Sequence, residues 1–183
     1  MKNLVKRYWQ IVVIAVVIVA LDQWTKSLVR ANIPLGGTWL PESMSWLSPY
    51  ARIVHWYNTG AAFGMFKDGS MVFTVLAFIV IGMILYYYPQ VENADWSLRI
   101  AMSMQLGGAT GNLIDRLTIG HVTDFISIGN FAVFNIADAS ISTGAAVLFL
   151  GIILMERAER KKKREAAEQN TPPGENPSEV TSE

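Results

Sequence analysis

Four apolar stretches, each long enough to cross a bilayer as a helix, dominate this chain and leave little room for a soluble fold. The first covers about residues 8–28 and opens with an uncharged block, residues 11–21. The second covers about residues 71–88 and carries no charge. It ends in Tyr86-Tyr87-Tyr88-Pro89, aromatic residues suited to the membrane interface followed by a helix stop. The third, about residues 97–117, is less apolar but rich in small residues. Gly107 and Gly111 lie four apart on one helix face, where a neighbouring helix can approach closely. The fourth covers about residues 136–155. Only 16% of the chain is charged and 51% is hydrophobic, against roughly 25% charge in a soluble domain.

A basic start followed by an apolar core also describes a cleaved leader. No small-residue cleavage site follows the core, and the helical pattern runs on through Asp22 and Lys26, so the segment reads as a retained span. Nine of the fifteen Lys and Arg residues lie near the ends: Lys2, Lys6, Arg7, Arg157, Arg160, Lys161, Lys162, Lys163 and Arg164. Basic residues favour the cytoplasmic side, and an even number of spans puts both termini there. Two connections then face outward, one long (about residues 29–70) and one shorter (about residues 118–135).

The long loop holds Trp39, Trp46, Trp56 and Tyr57 among the breakers Pro34, Pro41 and Pro49, a density of aromatics suited to the headgroup region. Arg52-Ile53-Val54-His55-Trp56-Tyr57 reads as a strand. In the second loop Val122–Ile128 and residues 131–134, joined by Gly129-Asn130, read as a hairpin. The expected fold is therefore α-helical and membrane-embedded, with four transmembrane helices, a small extracytoplasmic β-sheet and a surface loop. Residues 1–164 form a single membrane domain in this reading. Residues 165–183, rich in Glu, Pro and Ser, form a disordered tail.

Ionisable groups at membrane depth are costly and usually paired or functional. Here they gather toward the outer side. Asp22 and Lys26 share a face of the first helix. Asn112, Asp115 and Arg116 share a face near the outer end of the third. Asp124 sits in the expected hairpin, and Asn135 and Asp138 stand where the fourth helix begins. Singly, each has an ordinary explanation. Asp22–Lys26 is a buried ion pair, Asp115–Arg116 a structural pair and Asp124 a solvated hairpin residue; Asn135 is an N-cap and Asp138 a helix-start carboxylate. Together they place four carboxylates and two amides at one membrane face, which structure alone does not explain.

The rest of the sequence narrows the chemistry. With no cysteine, thiol catalysis, disulfides and zinc–thiolate sites are excluded. The two histidines, His55 and His121, form no H-E-x-x-H, and no G-x-S-x-G elbow is present. Zero formal net charge gives no reason to expect a nucleic-acid partner. Paired aspartates need neither metal nor cofactor: two close carboxylates share a proton, one activating water while the other protonates the substrate.

Five segments occur in order: Leu21-Asp22-Gln23-Trp24-Thr25-Lys26, Asn58-Thr59-Gly60-Ala61-Ala62-Phe63, Gly111-Asn112-Leu113-Ile114-Asp115-Arg116, Val122-Thr123-Asp124-Phe125 and Phe134-Asn135-Ile136-Ala137-Asp138. Together they closely resemble lipoprotein signal peptidase, also called signal peptidase II. The resemblance implies an aspartyl endopeptidase of the bacterial inner membrane with its active site on the periplasmic side; the expected enzyme is a monomer without cofactor or metal. Its substrates would be prolipoproteins already carrying diacylglycerol on the lipobox cysteine, cut just before that cysteine. The family's catalytic pair falls on Asp124 and Asp138. Its supporting or substrate-binding residues fall on Asp22, Lys26, Asn58, Asn112, Asp115, Arg116 and Asn135. The main alternative is a small proton-coupled transporter or channel using Asp22, Asp115 and Asp124 as a relay. That class often carries matched repeats, and none is found. A signal-peptide-binding assembly factor is a third reading, but it needs no second carboxylate.

Overall fold

A computed structural model describes residues 2–60, 69–92 and 95–169. Four long helices carry the fold: α1 (Lys2–Asn32), α2 (Ser70–Tyr87), α3 (Trp96–Ile119) and α4 (Ile136–Gln169). Strands β1 (Thr38–Trp39), β2 (Ala51–Asn58) and β3 (Val122–Ile128) make a three-stranded antiparallel sheet in the order β1-β2-β3. The first three helices and the sheet belong to one unit, Met1–Leu148, with the start of α4. The described part of the second, Phe149–Glu183, is the continuation of α4.

Among the described residues three helices are long and apolar enough to cross a membrane: Tyr8–Asn32 within α1, Ser70–Gln90 and Ile136–Glu165. In the most apolar window of the second only 6% of residues are buried by protein, which leaves its side chains for lipid. Helix α3 is of sufficient length but not of that composition, because its neighbours are other helices. A dozen of its 24 residues are buried, among them Ser103, Gly107, Gly108, Ala109, Gly111 and Asn112. A helix enclosed by protein need not be apolar all round, and small residues let its neighbours close in.

That closeness is measurable at the glycines. A Cβ at Gly107 would stand 2.8 Å from Ile18 Cβ on α1, and one at Gly111 only 2.6 Å from Asp22 Oδ2. On the other side a Cβ at Gly108 would lie 2.5 Å from the Ala137 carbonyl oxygen at the start of α4. The expected close approach at Gly107 and Gly111 is therefore the α1–α3 seam. Gly120, at φ +82°, ends α3 in the left-handed conformation that glycine adopts without a Cβ penalty.

Two apolar clusters bracket the polar residues of the seam. Ile11, Ala15, Ile84, Tyr88 and Leu106 pack α1, α2 and α3 together on one side. Val29, Ile33 and Phe125 seat the sheet on the end of α1 on the other. The predicted strand at Arg52–Tyr57 lies within β2. The predicted hairpin forms only in part. Its return segment makes a single bridge, Ile126↔Phe134, and β3 takes β2 as its full partner instead. The long-range pairing wins because β2 matches β3 along its length, whereas residues 129–135 are needed to reach the start of α4. A bulge at Val54-His55, between the pairs Ile53↔Ile126 and Trp56↔Asp124, shifts the register beside Asp124. Residues 165–169 of the expected tail continue α4, which runs through Gln169; residues 170–183 lie outside the described residues.

Candidate active site

The site is assembled at one end of the helices, and each element contributes for a local reason. Asn135 caps α4. Its Oδ1 accepts the backbone N–H of Asp138 at 3.0 Å, while Asp138 Oδ2 accepts the N–H of Asn135 at 3.2 Å. This is a reciprocal capping box built from Asn and Asp. The ordinary reading of both residues is therefore correct, and it also points the remaining atoms inward. The Asn135 amide donates through Nδ2 to Asp124 Oδ1 at 2.7 Å. One residue thus touches both carboxylates.

Asp124 lies in the middle of β3 and is almost completely buried. Its other oxygen accepts from Asn58 Nδ2 at 2.8 Å, and Asn58 is itself turned by the Gly60 N–H, which donates to its Oδ1 at 3.0 Å. Ala61, Ala62 and Phe63 of that motif lie outside the described residues. Asp138 Oδ1 accepts from Asn112 Nδ2 at 2.8 Å. The orientation of Asn112 is not arbitrary. Lys26 Nζ, which has only donors, lies 2.9 Å from Asn112 Oδ1, so the amide nitrogen must face Asp138.

Behind Asn112 stands a charged group at the α1–α3 seam. Lys26 contacts Asp22 Oδ2 at 2.8 Å and Asp115 Oδ2 at 3.3 Å, all three side chains being essentially sealed from solvent. Removing the ammonium would leave the buried Asp22 carboxylate without a cation and Asp115 with Arg30 alone, a change of about 3–5 kcal/mol for a broken buried pair. Asp115 does not pair with Arg116 as the sequence allowed. It turns to Lys26, to Arg30 at 3.5 Å and to the N–H of Thr123 at 3.0 Å. Arg116, the next residue, points away across α3, with its guanidinium 5.5 Å above the Phe73 ring.

Eight of the nine expected residues thus fall in one hydrogen-bonded network, and Arg116 stands beside it. Sequence reasoning missed three members. Gln23 donates to Asp22, to Asp115 and to the Gly111 carbonyl. Arg30 reaches Asp115 and Thr123 Oγ1, and Thr123 offers its backbone N–H to Asp115. Arg30 had a visible signal, the Asp22–Lys26–Arg30 spacing of four along one helix. Gln23 and Thr123 had none beyond lying in the motifs.

Asp138, Asn112, Arg116 and Asn58 all line a cavity of about 790 Å³ walled by Phe73, Leu76, Ala77 and Val80 of α2 and by Ile141 of α4. Asp124 is pushed up to about 7, first by burial and then by the neighbouring charge of Asp138, with the bonds from Asn58 and Asn135 pulling the other way. A carboxyl that keeps its proton near neutrality, beside a second carboxyl open to the cavity, can run acid and base chemistry together. Among the described residues no group of three or more His, Cys, Asp or Glu is arranged to hold a metal ion.

The fold and site define an integral membrane protein whose helices and sheet close around a pair of carboxylates at an apolar cavity. The family model described as signal peptidase (SPase) II matches residues 14–154. The lipoprotein signal peptidases of Halalkalibacterium halodurans and Shouchella clausii are each 37% identical, over 82% and 83% of this chain and 96% and 98% of theirs. That of Streptococcus pneumoniae is 32% identical over 80% of this chain and 94% of its own. A solved bacterial membrane enzyme superposes with a TM-score of 0.72 at 28% identity, covering 82% of this chain and 90% of that one. The chain belongs to the signal peptidase II family, and is a bacterial membrane peptidase.

Proposed function

We propose that this protein is an aspartic endopeptidase of the bacterial inner membrane that removes the signal peptide from diacylglyceryl-modified prolipoproteins, cutting just before the lipidated cysteine. The observation that carries this reading is the Asn135 bridge. It holds Asp124 and Asp138 together, with Asp138 on a cavity apolar enough for a signal-peptide helix and a lipid.

In the resting enzyme Asp124 carries the shared proton and Asp138 is the base, consistent with the raised affinity of Asp124 for a proton. Water held between the carboxyls attacks the scissile carbonyl carbon and gives its proton to Asp138. Asp124 gives its proton to the carbonyl oxygen, producing a neutral gem-diol. As the C–N bond breaks, Asp138 protonates the departing nitrogen and Asp124 recovers a proton from the diol, restoring the starting state. Asn58, Asn112 and Asn135 keep both carboxylates aimed. Arg116 lines the same cavity, so its guanidinium is placed to meet substrate carbonyls.

In this reading α3 is the fourth span, since 24 residues at about 1.5 Å each reach about 36 Å. Both termini are cytoplasmic, and the sheet lies at the periplasmic surface, where the exposed rings of Trp39, Trp46 and Trp56 suit the interface. The enzyme works as a monomer without a cofactor. The test is processing by the purified protein in lipid, followed by mass spectrometry. A precursor peptide carrying diacylglyceryl-cysteine should be cut on the N-terminal side of that residue. Equal cutting of the unlipidated peptide would refute the substrate assignment.

A further inference from the structure

Asp22 and Asp115 do more than neutralise Lys26. Asp22 Oδ1 accepts the backbone N–H of Ala137 at 3.0 Å, and Asp115 Oδ2 accepts that of Thr123 at 3.0 Å. Ala137 immediately precedes Asp138, and Thr123 immediately precedes Asp124. Two carboxylates, on different helices, therefore each hold the main chain next to one member of the dyad. Lys26 lies within reach of both, and its remaining hydrogen goes to Asn112, the side chain that orients Asp138. An ammonium has three donors, and all three are committed in this arrangement.

We propose that Lys26 is a positioning residue of the peptidase: through Asp22 and Asp115 it fixes the backbone on both sides of the dyad, and so sets the separation of the two catalytic carboxyls. This rests on the assignment of Asp124 and Asp138 as the catalytic pair. The need for such a device follows from the topology. The dyad is split between β3 and α4, and the segment between them is tied back by the Ile126↔Phe134 bridge with its neighbouring backbone bonds, by the Gly129 N–H donated to the Tyr50 carbonyl and by the Asn135 side chain, none of which holds the main chain at Ala137. A shared proton tolerates errors of only about 0.5 Å in the placement of its two carriers. The Ala137 N–H is also one of the donors that a helix start leaves unsatisfied, and Asp22 caps it from another helix, 115 residues away in sequence. A lysine that merely balanced charge would have no reason to share carboxylates with these two amides. Neither Asp22 nor Lys26 lines the cavity, so substrate binding should not sense them directly.

The test compares Lys26→Met, which leaves two buried carboxylates facing each other, with the double variant Asp22→Leu/Lys26→Met, which removes one charge of each sign and leaves Asp115 paired to Arg30. The double variant is the one expected to insert and melt like the wild type. Amide exchange should quicken at Ala137, on the order of tenfold, while Thr123 stays protected by Asp115. For the lipidated precursor, kcat should fall by about 100-fold, as expected for a small displacement of catalytic groups. KM should stay within about twofold. A folded double variant with wild-type kcat, or one whose loss lies wholly in KM, overturns the proposal. Asp124→Asn in the same assay separates the two ideas. If it is inactive while the double variant is fully active, the positioning role alone fails. If it still cleaves, the dyad assignment fails and takes the positioning role with it.

Discussion

The two faces of α3 are built from the same kinds of residue and behave in opposite ways. Toward α1 the helix presents Gly107 and Gly111, and the space is closed until a single added methyl would collide. The charges there are saturated: each oxygen of Asp22 and Asp115 has at least one partner, and all three donors of Lys26 are taken. Toward α2 and α4 the helix presents Gln105, Ala109, Asn112 and Arg116 to an open cavity, where Asp138 is half-buried. Burial of charge is common to both faces. What distinguishes the cavity side is a half-buried carboxylate next to space, and that is where a substrate can be met.

The largest expected effect breaks the chemistry and spares both faces. Asp124→Asn and Asp138→Asn should each reduce processing of the lipidated precursor to background while the protein still inserts and binds it. The double variant should be no worse than either single one, because residues acting as one unit are strongly non-additive. Appreciable turnover by either folded single variant would remove the dyad.

Next comes the closed face. Gly111→Ala puts a methyl 2.6 Å from Asp22 Oδ2, an atom pinned in a buried ion pair and unable to yield cheaply. Overpacking of this kind costs about 1–3 kcal/mol, to be read as a lower melting temperature together with reduced kcat. A variant as stable as the wild type would show the seam to be looser than it looks.

Filling the open face should do the reverse. Ala77→Trp intrudes on the cavity wall, and KM for the precursor should rise about tenfold with kcat and melting temperature nearly unchanged. Equal losses in kcat and stability would mean that α2 packs there as tightly as α1 does.

A smaller and graded effect follows from Asp124. Its proton affinity is raised from the ordinary 3.8 to about 7, so the protonated form stabilises the fold fully below pH 3.8, and that contribution is lost as pH rises through about 7. Cleavage should decline over the same alkaline limb, since the mechanism needs that proton. The stability of Asp124→Asn relative to wild type should improve between pH 5 and pH 8, because Asn cannot ionise. A flat wild-type profile from pH 5 to 9 would contradict both. The smallest effect is expected at the end of the chain: truncation after Arg164 removes only a polar segment and should leave insertion and processing unchanged.

Much of the fold was legible because bilayer physics writes itself into composition. A lipid-facing helix must be apolar along its length, so α1, α2 and α4 announce themselves. The enclosed helix α3 is less apolar, yet its glycine spacing gave away a close neighbour. The hairpin forms only in part because strand pairing is chosen by what lies alongside in space. The neighbour of β3 is β2, some seventy residues away, and only a bridge at Phe134 remains of the local alternative. At the site, ionisable residues inside apolar sequence flagged eight of the network's members or their motifs, but their partnerships stayed hidden. Asp115 and Arg116 are adjacent in sequence and look like a pair, whereas a helix turns about 100° per residue and sends one to the seam and the other to the cavity.

The residues alone make this chain a membrane protein with an unusual concentration of carboxylates and amides near one end of its helices, because the cost of placing such groups in apolar surroundings depends only on what they are. Which of those carboxylates are tied up in structure and which face the cavity follows only from the packing of the helices. That choice rests on distances of about 3 Å between residues as far apart as Asp22 and Ala137, and on whether a given oxygen already has its hydrogen-bond partners. Neither quantity exists until the helices have packed.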